Sequence, residues 1–191
     1  MAMIIKEAGK PETTFTPTLA DYPIKKWKFV PSNDIERVES ILFDIPNMTL
    51  EDHMNLNVLG NDMIKYAIEN KGVGLAAPQI GIFHQIFVFQ KSNQQWEICV
   101  NPWFTVKNTP EVTYVEGCLS YPGKDYMVTR YKRINAIYYG FDRNHTLVRR
   151  NKELRGSEAI IFQHEMGHLN GRTIAMIGKE VVSKNITTGV K

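Results

Sequence analysis

The chain of 191 residues has only two cysteines, Cys99 and Cys118. Two are too few for a disulfide scaffold. Cys99 sits in Trp96-Glu97-Ile98-Cys99-Val100, which reads as a buried strand. An unpaired structural thiol fits it better than a bridge, consistent with a reducing compartment. No apolar run approaches the ~18 residues of a membrane span. The first residues lack a basic region followed by an apolar stretch, and they are not an Arg-rich transit peptide. A cytoplasmic location is the expectation, with no membrane partner. Charge of one sign is also scarce: 23 Lys and Arg face 20 Asp and Glu, a net +3. The cations are scattered, and the nearest thing to a patch, Lys25-Lys26-Trp27-Lys28, reads as solvated surface. Direct nucleic-acid binding is therefore not expected. There are no repeats and no low-complexity segments. This length suits a single domain, residues 1–191, with one core.

Three regions divide that domain. Residues 1–48 hold five of the nine prolines and no clear period; they read as an extended arm wrapped on a core. A core follows over 49–171, then a short tail over 172–191. Thr49-Leu50-Glu51-Asp52 looks like a helix start, a capping residue followed by acids. Leu56, Leu59, Met63, Tyr66 and Ala67 recur at helical spacing. Lys71-Gly72 reads as the stop, so one helix is expected over 50–70, with Gly60 its weak spot. Residues 85–89, 97–100 and 136–141 are rich in aromatic and β-branched side chains and read as strands. Asn93 and Asn101-Pro102 punctuate them, and 112–115 alternates. A second helix is expected over 157–169, ended by Asn170-Gly171. Strands with two main helices give an α+β fold, with antiparallel or mixed β-sheets wrapped around the second helix.

That second helix carries His164-Glu165-Met166-Gly167-His168. Histidines four apart stand on one helix face, where both imidazoles can bind one metal ion. Glu165 beside them is then free for proton transfer. A chance pattern on a solvated helix is the plainer reading. It loses ground because Ala159-Ile160-Ile161-Phe162 is apolar and Ile161 shares the face of His164. A buried histidine pair needs partners, and a metal supplies them. A third protein ligand leaves one position open for water. Metalloproteases with this helix motif often take it from downstream, but the third-histidine position here is Ile174. The only acid beyond Glu165 is Glu180. Upstream, Cys118 in Glu116-Gly117-Cys118-Leu119-Ser120 is the conspicuous soft donor, and a thiolate suits zinc or ferrous iron.

A third segment, Gly72-Val73-Gly74-Leu75-Ala76-Ala77-Pro78-Gln79, is weak alone but strong in this order. The three segments together resemble the peptide deformylases, over roughly residues 50–171. Members of that family remove the formyl group from the N-terminal methionine of new polypeptides, a step of protein biosynthesis. The resemblance implies that Cys118, His164 and His168 hold one divalent metal ion. Fe2+ is favoured, with Zn2+, Ni2+ or Co2+ as alternatives. It implies Glu165 as the proton shuttle, and Gln79 with the Leu119 backbone N–H as donors to the oxyanion. Gly74 and Val73 would lie along the bound peptide. Tyr114, Ile160 and Ile161 would line the methionine pocket, although Ile160 and Ile161 fit ordinary core packing equally well. A tight cavity would admit formyl and exclude acetyl. The partners implied are N-formylmethionyl peptides, with a monomeric enzyme and a transient ribosome contact left open.

The chain departs from the family at Gly167, where Asp is usual. Glycine inside a helix costs about 1 kcal/mol relative to alanine, and any supporting role of that carboxylate is lost. Weaker metal retention or lower stability is the expectation. Residues 42–47 look inserted, and the tail leaves little room for a long C-terminal helix, which puts ribosome docking through such a helix in doubt. A hydrolase of another N-acyl group is the alternative. A HExxH metalloprotease and a non-catalytic peptide-binding relative fit less well, since Ile174 opposes the first and the intact ligand and acid set opposes the second.

Overall fold

The computed structural model describes residues 27–181; residues 1–26 and 182–191 lie outside it. Most of the expected arm and the end of the tail therefore lie outside the described residues, as do Lys25 and Lys26. From residue 27 to 48 the chain is largely irregular, as its prolines imply. It contains a single turn of helix, α1 (Ser32–Ile35), and a 3-10 turn at Ile45–Asn47. Phe43 anchors this stretch in the core.

The first long helix, α2 (Leu50–Glu69), starts where the sequence places it. The Thr49 hydroxyl accepts from the Asp52 amide at 3.2 Å, and the Asp52 carboxylate accepts from the Thr49 amide at 2.8 Å. This reciprocal pair satisfies two orphan donors of the helix start. At the other end Lys71, not Gly72, takes the left-handed conformation, with φ 59°. Gly72 N donates to Ala67 O and Lys71 N to Ile68 O, which closes the last carbonyls. Gly72 instead passes close to the cysteine turn: a Cβ there would lie 2.8 Å from Leu119 Cδ1, so the leucine methyl would have to move aside. Gly60 is likewise a point of close approach, because a Cβ would sit 2.6–2.9 Å from the Ile98 side chain.

Among the described residues eight strands follow, in two antiparallel sheets. The larger runs in the order β1 (Gly74–Ala76), β2 (Ile86–Gln90), β3 (Trp96–Thr105), β6 (Arg133–Phe141), β7 (Leu147–Arg155). The smaller runs in the order β4 (Glu111–Gly117), β5 (Asp125–Tyr131), β8 (Lys179–Val181). β2 explains the layering. Ile86 and Val88 face the α2 cluster with Leu56, Leu59 and Met63. Phe87 and Phe89 face the other cluster, around Phe162 and Ala159. A strand buried on both faces reads as an unbroken apolar run, which Ile86-Phe87-Val88-Phe89 is.

The second long helix, α3 (Gly156–Leu169), lies on that other face and touches strands of both sheets. Phe162 packs edge-on against Phe87 with centroids 4.9 Å apart. The Gln163 side chain ties α3 to the smaller sheet: its Oε1 accepts from Tyr131 N at 3.0 Å and its Nε2 donates to Tyr131 O at 2.8 Å. Beyond α3 the described chain forms a short α4 (Ile174–Ile177) and then β8, not a long helix.

The expected α+β fold, with sheets around the second helix, is what the chain adopts. One boundary differs for a physical reason. Asn101-Pro102 does not end a strand; it is an irregularity inside β3, where the register with β6 shifts between Val100 and Trp103. Asn101 takes φ 46°, and its amide exchanges two hydrogen bonds with the Phe43 backbone, at 3.0 and 2.8 Å. β5, β7, β8 and the three-residue β1 were not expected as strands. β5 and β7 alternate with charged residues, and the two short strands carry too few residues for any period.

Candidate metal centre and its surroundings

β4 ends at Gly117 and delivers Cys118 into a turn, in which Tyr121 N donates to Cys118 O at 2.9 Å. That turn faces the side of α3 carrying His164 and His168. The Cys118 thiol and one ring nitrogen from each histidine all lie within 4.8 Å of one another. Cys118 Sγ is 3.3 Å from His168 Nε2, and the two imidazole centroids are 5.1 Å apart. Residues 50 positions apart are thus converged by one strand end and one helix face.

The imidazole of His164 is oriented from behind. Its Nδ1 is 2.8 Å from Glu116 Oε2. Glu116 is in turn held by both Nε and Nη2 of Arg130, each at 2.9 Å. Glu116 and Arg130 are both 7 % exposed, and the fork-on-carboxylate geometry satisfies both buried charges. With Nδ1 occupied by the carboxylate, Nε2 is the ring nitrogen left to serve as a ligand.

The electrostatics follow from these contacts. Burial alone would raise the Glu116 carboxyl, but the hydrogen bonds from His164 and Arg130 outweigh it and bring it to about 2. Burial would also raise the Cys118 thiol, yet the charges of His168 and His164 and their hydrogen bonds hold it well below its ordinary value. Burial would lower His164, but Cys118 and Glu116 push it up to about 10. A thiol depressed in this way is available as the thiolate a metal requires. Cys99 is the reverse case: fully buried, it is pushed well above the ordinary thiol value.

Glu165 is 4 % exposed, and burial pushes it up to about 7 against the pull of both histidines. Its Oε2 and His168 Nδ1 are buried without a hydrogen-bond partner among the described residues. Gly74 passes directly over it: a Cβ at 74 would run into Glu165 Oε1, with Glu165 Cδ at 2.9 Å and Ile161 Cγ2 at 3.1 Å. The family resemblance implies that Gly74 lets a bound peptide approach; in the structure the space it leaves is taken by Glu165. Gly74 and Val73 lie at β1, an edge of the larger sheet. Gln79 is 2 % exposed, and Ala76 N donates to its Oε1 at 2.9 Å. That bond turns Nε2 toward the cysteine turn, 3.1 Å from Ser120 Oγ and 3.7 Å from Cys118 Sγ.

Of the residues singled out in the sequence, Cys118, His164, His168, Glu165, Gln79, Gly74 and Leu119 therefore gather at one place. Ile161 is with them through Gly74, and it packs against the α3-side core as well. Tyr114 is half-buried on the face of β4 that also carries Glu116, and Ile160 is half-buried on α3. Neither side chain makes a hydrogen bond to the cluster among the described residues. The sequence reading missed Arg130, Gln163 and the orienting part of Glu116. Glu116 could have been found, two residues before the cysteine; nothing local marks Arg130 as its partner.

An α+β fold with a thiol and two imidazoles converging beside a buried carboxylate defines a metal-site hydrolase. Comparison with known proteins narrows this. The sequence model of the family "Polypeptide deformylase" matches residues 38–181. A curated peptide deformylase 1 of Clostridium perfringens is 37 % identical over 117 residues, 61 % of this chain and 76 % of that protein. The crystal structure of peptide deformylase from Thermus thermophilus superposes with TM-score 0.66 at 32 % identity, covering 78 % of this chain and 83 % of that one. A probable peptide deformylase from a Synechococcus phage gives 0.65 at 27 % identity, covering 78 % and 98 %. The chain belongs to the polypeptide deformylase family. It is an enzyme that removes the N-formyl group from nascent peptides, and the protease and N-acyl alternatives yield to that reading.

Proposed function

We propose that Cys118, His164 and His168 hold one divalent ion, and that Glu165, Gln79 and the Leu119 amide carry out deformylation around it. The observation that supports this most is the convergence of one depressed thiol and two imidazoles within 4.8 Å, with His164 oriented by Glu116. The donor set fits the group: one soft and two borderline ligands suit ferrous iron or zinc, and the three leave room for a fourth. Iron is the favoured ion on family resemblance. A divalent ion here supplies Lewis acidity for the formyl carbonyl and lowers the pKa of water.

The chain's own groups do the rest. Glu165 Oε2, buried and unpartnered, takes the proton of the attacking water. The same oxygen then delivers it to the departing amine nitrogen. Burial that lifts Glu165 to about 7 suits a group that must accept and release a proton near neutrality. The carbonyl oxygen gains charge as the formyl carbon becomes tetrahedral. Gln79 Nε2, aimed by its bond from Ala76 N, and Leu119 N–H donate to it. Such preorganised donors contribute about 3–4 kcal/mol each. Gly74 and Val73, at the sheet edge, are placed to lie along the substrate backbone. Ile161, with Ile160 and Tyr114, is assigned to the methionine side chain.

Selectivity for formyl is a matter of size, since Glu165, Gly74 and Ile161 crowd the same spot. The same reading takes the protein as a cytoplasmic monomer that meets nascent chains at the ribosome in passing. No helix among the described residues is long and apolar enough to cross a membrane. Formate release from formyl-Met and acetyl-Met peptides by metal-loaded protein tests the assignment. Release from the formyl peptide alone is expected; equal cleavage of both would refute the size argument.

A further inference from the structure

Tyr121 has no role in the chemistry above, yet it is tied at both ends. Its amide closes the turn on the Cys118 carbonyl at 2.9 Å. Its phenol oxygen lies 2.7 Å from Glu36 Oε1 and 2.7 Å from Thr173 Oγ1, and Thr173 Oγ1 is 3.0 Å from the same Glu36 oxygen. Two hydroxyl protons and one carboxylate share this triangle, and Thr173 is buried in it. Glu36 directly follows α1, while Thr173 directly precedes α4. The junction therefore joins the cysteine turn to two distant stretches of chain.

The stretch around Glu36 reaches the other two motif segments by its backbone. Val30 N donates to the carbonyl of Gln79 at 3.0 Å. Arg37 N donates to Gly171 O at 2.7 Å and Ser40 N to Leu169 O at 2.9 Å, at the end of the histidine helix. Residues 30–37 precede the stretch that the family's sequence model matches. One short run of chain thus contacts the glutamine segment, the cysteine turn and the histidine helix.

We propose that residues 30–40 form a strap across the three motif segments, and that Tyr121, gripped by Glu36 and Thr173, is a positioning residue for the turn presenting Leu119 N–H and Ser120 Oγ. The proposal rests on the reading of Leu119 N–H and Gln79 Nε2 as donors to the oxyanion. A ring that only packs, here against Tyr126 at 5.8 Å, contributes stability alone. A ring that positions contributes to the geometry of an N–H at the reacting carbonyl, where small displacements are felt in turnover rather than in substrate binding.

The test uses Tyr121→Phe, Glu36→Gln, the double variant, and Thr173→Val as a second route to the same junction. Each is measured for kcat and KM on a formyl-Met peptide, for melting temperature, and for amide hydrogen exchange across residues 118–121. The expected result for Tyr121→Phe is a kcat lower by about tenfold, with KM nearly unchanged and faster exchange in the turn. Glu36→Gln and Thr173→Val are expected to move the same quantities. The double variant should lose no more than the worse single one, because both act through one junction. A lower melting temperature with kcat intact, or losses that multiply in the double variant, overturns the proposal. A wild type silent on formyl peptides would be a failure of the deformylation chemistry, not of the strap. Exchange needs no substrate and still decides: turn amides unmoved in both Tyr121→Phe and Thr173→Val overturn it.

Discussion

Helices α2 and α3 lie on opposite faces of the same sheet, and they differ at almost every point. α2 begins with a capping box, ends in a closed left-handed turn, and buries Leu56, Leu59, Met63 and Ala67. α3 has no side-chain cap, starts at a glycine with φ 55°, and buries Gln163, Glu165 and His168 among its apolar residues. α2 is stabilised by local rules and simple burial. α3 is stabilised by what surrounds it: Phe162 among four aromatic rings, Gln163 on the Tyr131 backbone, and the Arg130–Glu116 pair behind His164. Local consistency is given up where polar groups must be held, buried and partly unpaired, for chemistry.

The largest effects should therefore come from α3 and the turn facing it. Glu165→Gln is expected to keep the metal and lose about 10²–10⁴ in turnover, since the proton shuttle goes while the ligands stay. Its melting temperature should hold or rise, because a buried carboxylate without a full set of partners is replaced by a neutral amide. Cys118→Ala should lose metal affinity, whereas Cys99→Ala, in the core beside Phe87, should cost only stability. Metal content, steady-state rates and thermal melts on the same preparations separate these outcomes. Near-normal rates for Glu165→Gln would break the comparison at its centre.

How far the sequence revealed this follows the same division. α2 was legible to within a residue because its signals are local: a cap, an apolar period, a stop. The histidine pair was legible because its spacing on a helix is local too, and Cys118 stood out as the soft donor upstream before family resemblance joined it to the pair; the structure brings all three together. Arg130 and Tyr121 were not, because their meaning depends on partners 14 and 85 residues away. The glycines were read from one side only. Gly60 looked like a weak spot and Gly167 like a defect, because helix propensity counts only what a glycine costs. At both positions a neighbouring chain segment fills the space that a Cβ would need.

A middle-sized effect tests that point on α3. Propensity says that Gly167→Ala should gain about 1 kcal/mol. The structure says otherwise, since a Cβ there would lie 2.5 Å from the Arg172 carbonyl oxygen. Arg172 N also donates to Gly167 O at 2.8 Å, so this turn is fastened and has little freedom to recede. Overpacking of this kind costs about 1–3 kcal/mol. The expected outcome is a net loss of about 1 kcal/mol. A melt that shows Gly167→Ala to be the more stable protein would mean that the turn yields easily, and that glycine is the liability its propensity suggests.

The smallest expected effect lies on α2, and it is the cleanest control on the contrast. The Thr49 hydroxyl accepts from the Asp52 amide at 3.2 Å and donates to the Asp52 carboxylate at 2.7 Å, both within the box. Removing that hydroxyl in Thr49→Ala leaves the amide unpaired and should cost about 1 kcal/mol. In a chain of this length that lowers the melting temperature by about 2–4 °C. Thr49→Ser keeps an acceptor in the same place and should lose much less than Thr49→Ala. Turnover on formyl-Met peptide, measured well below the melt, should be unchanged in both, because α2 packs on the face of the sheet away from Glu165 and the histidines. If Thr49→Ala instead lowers kcat while Thr49→Ser restores it, the cap is coupled through the sheet to the chemistry, and the separation between a structural helix and a chemical one does not hold.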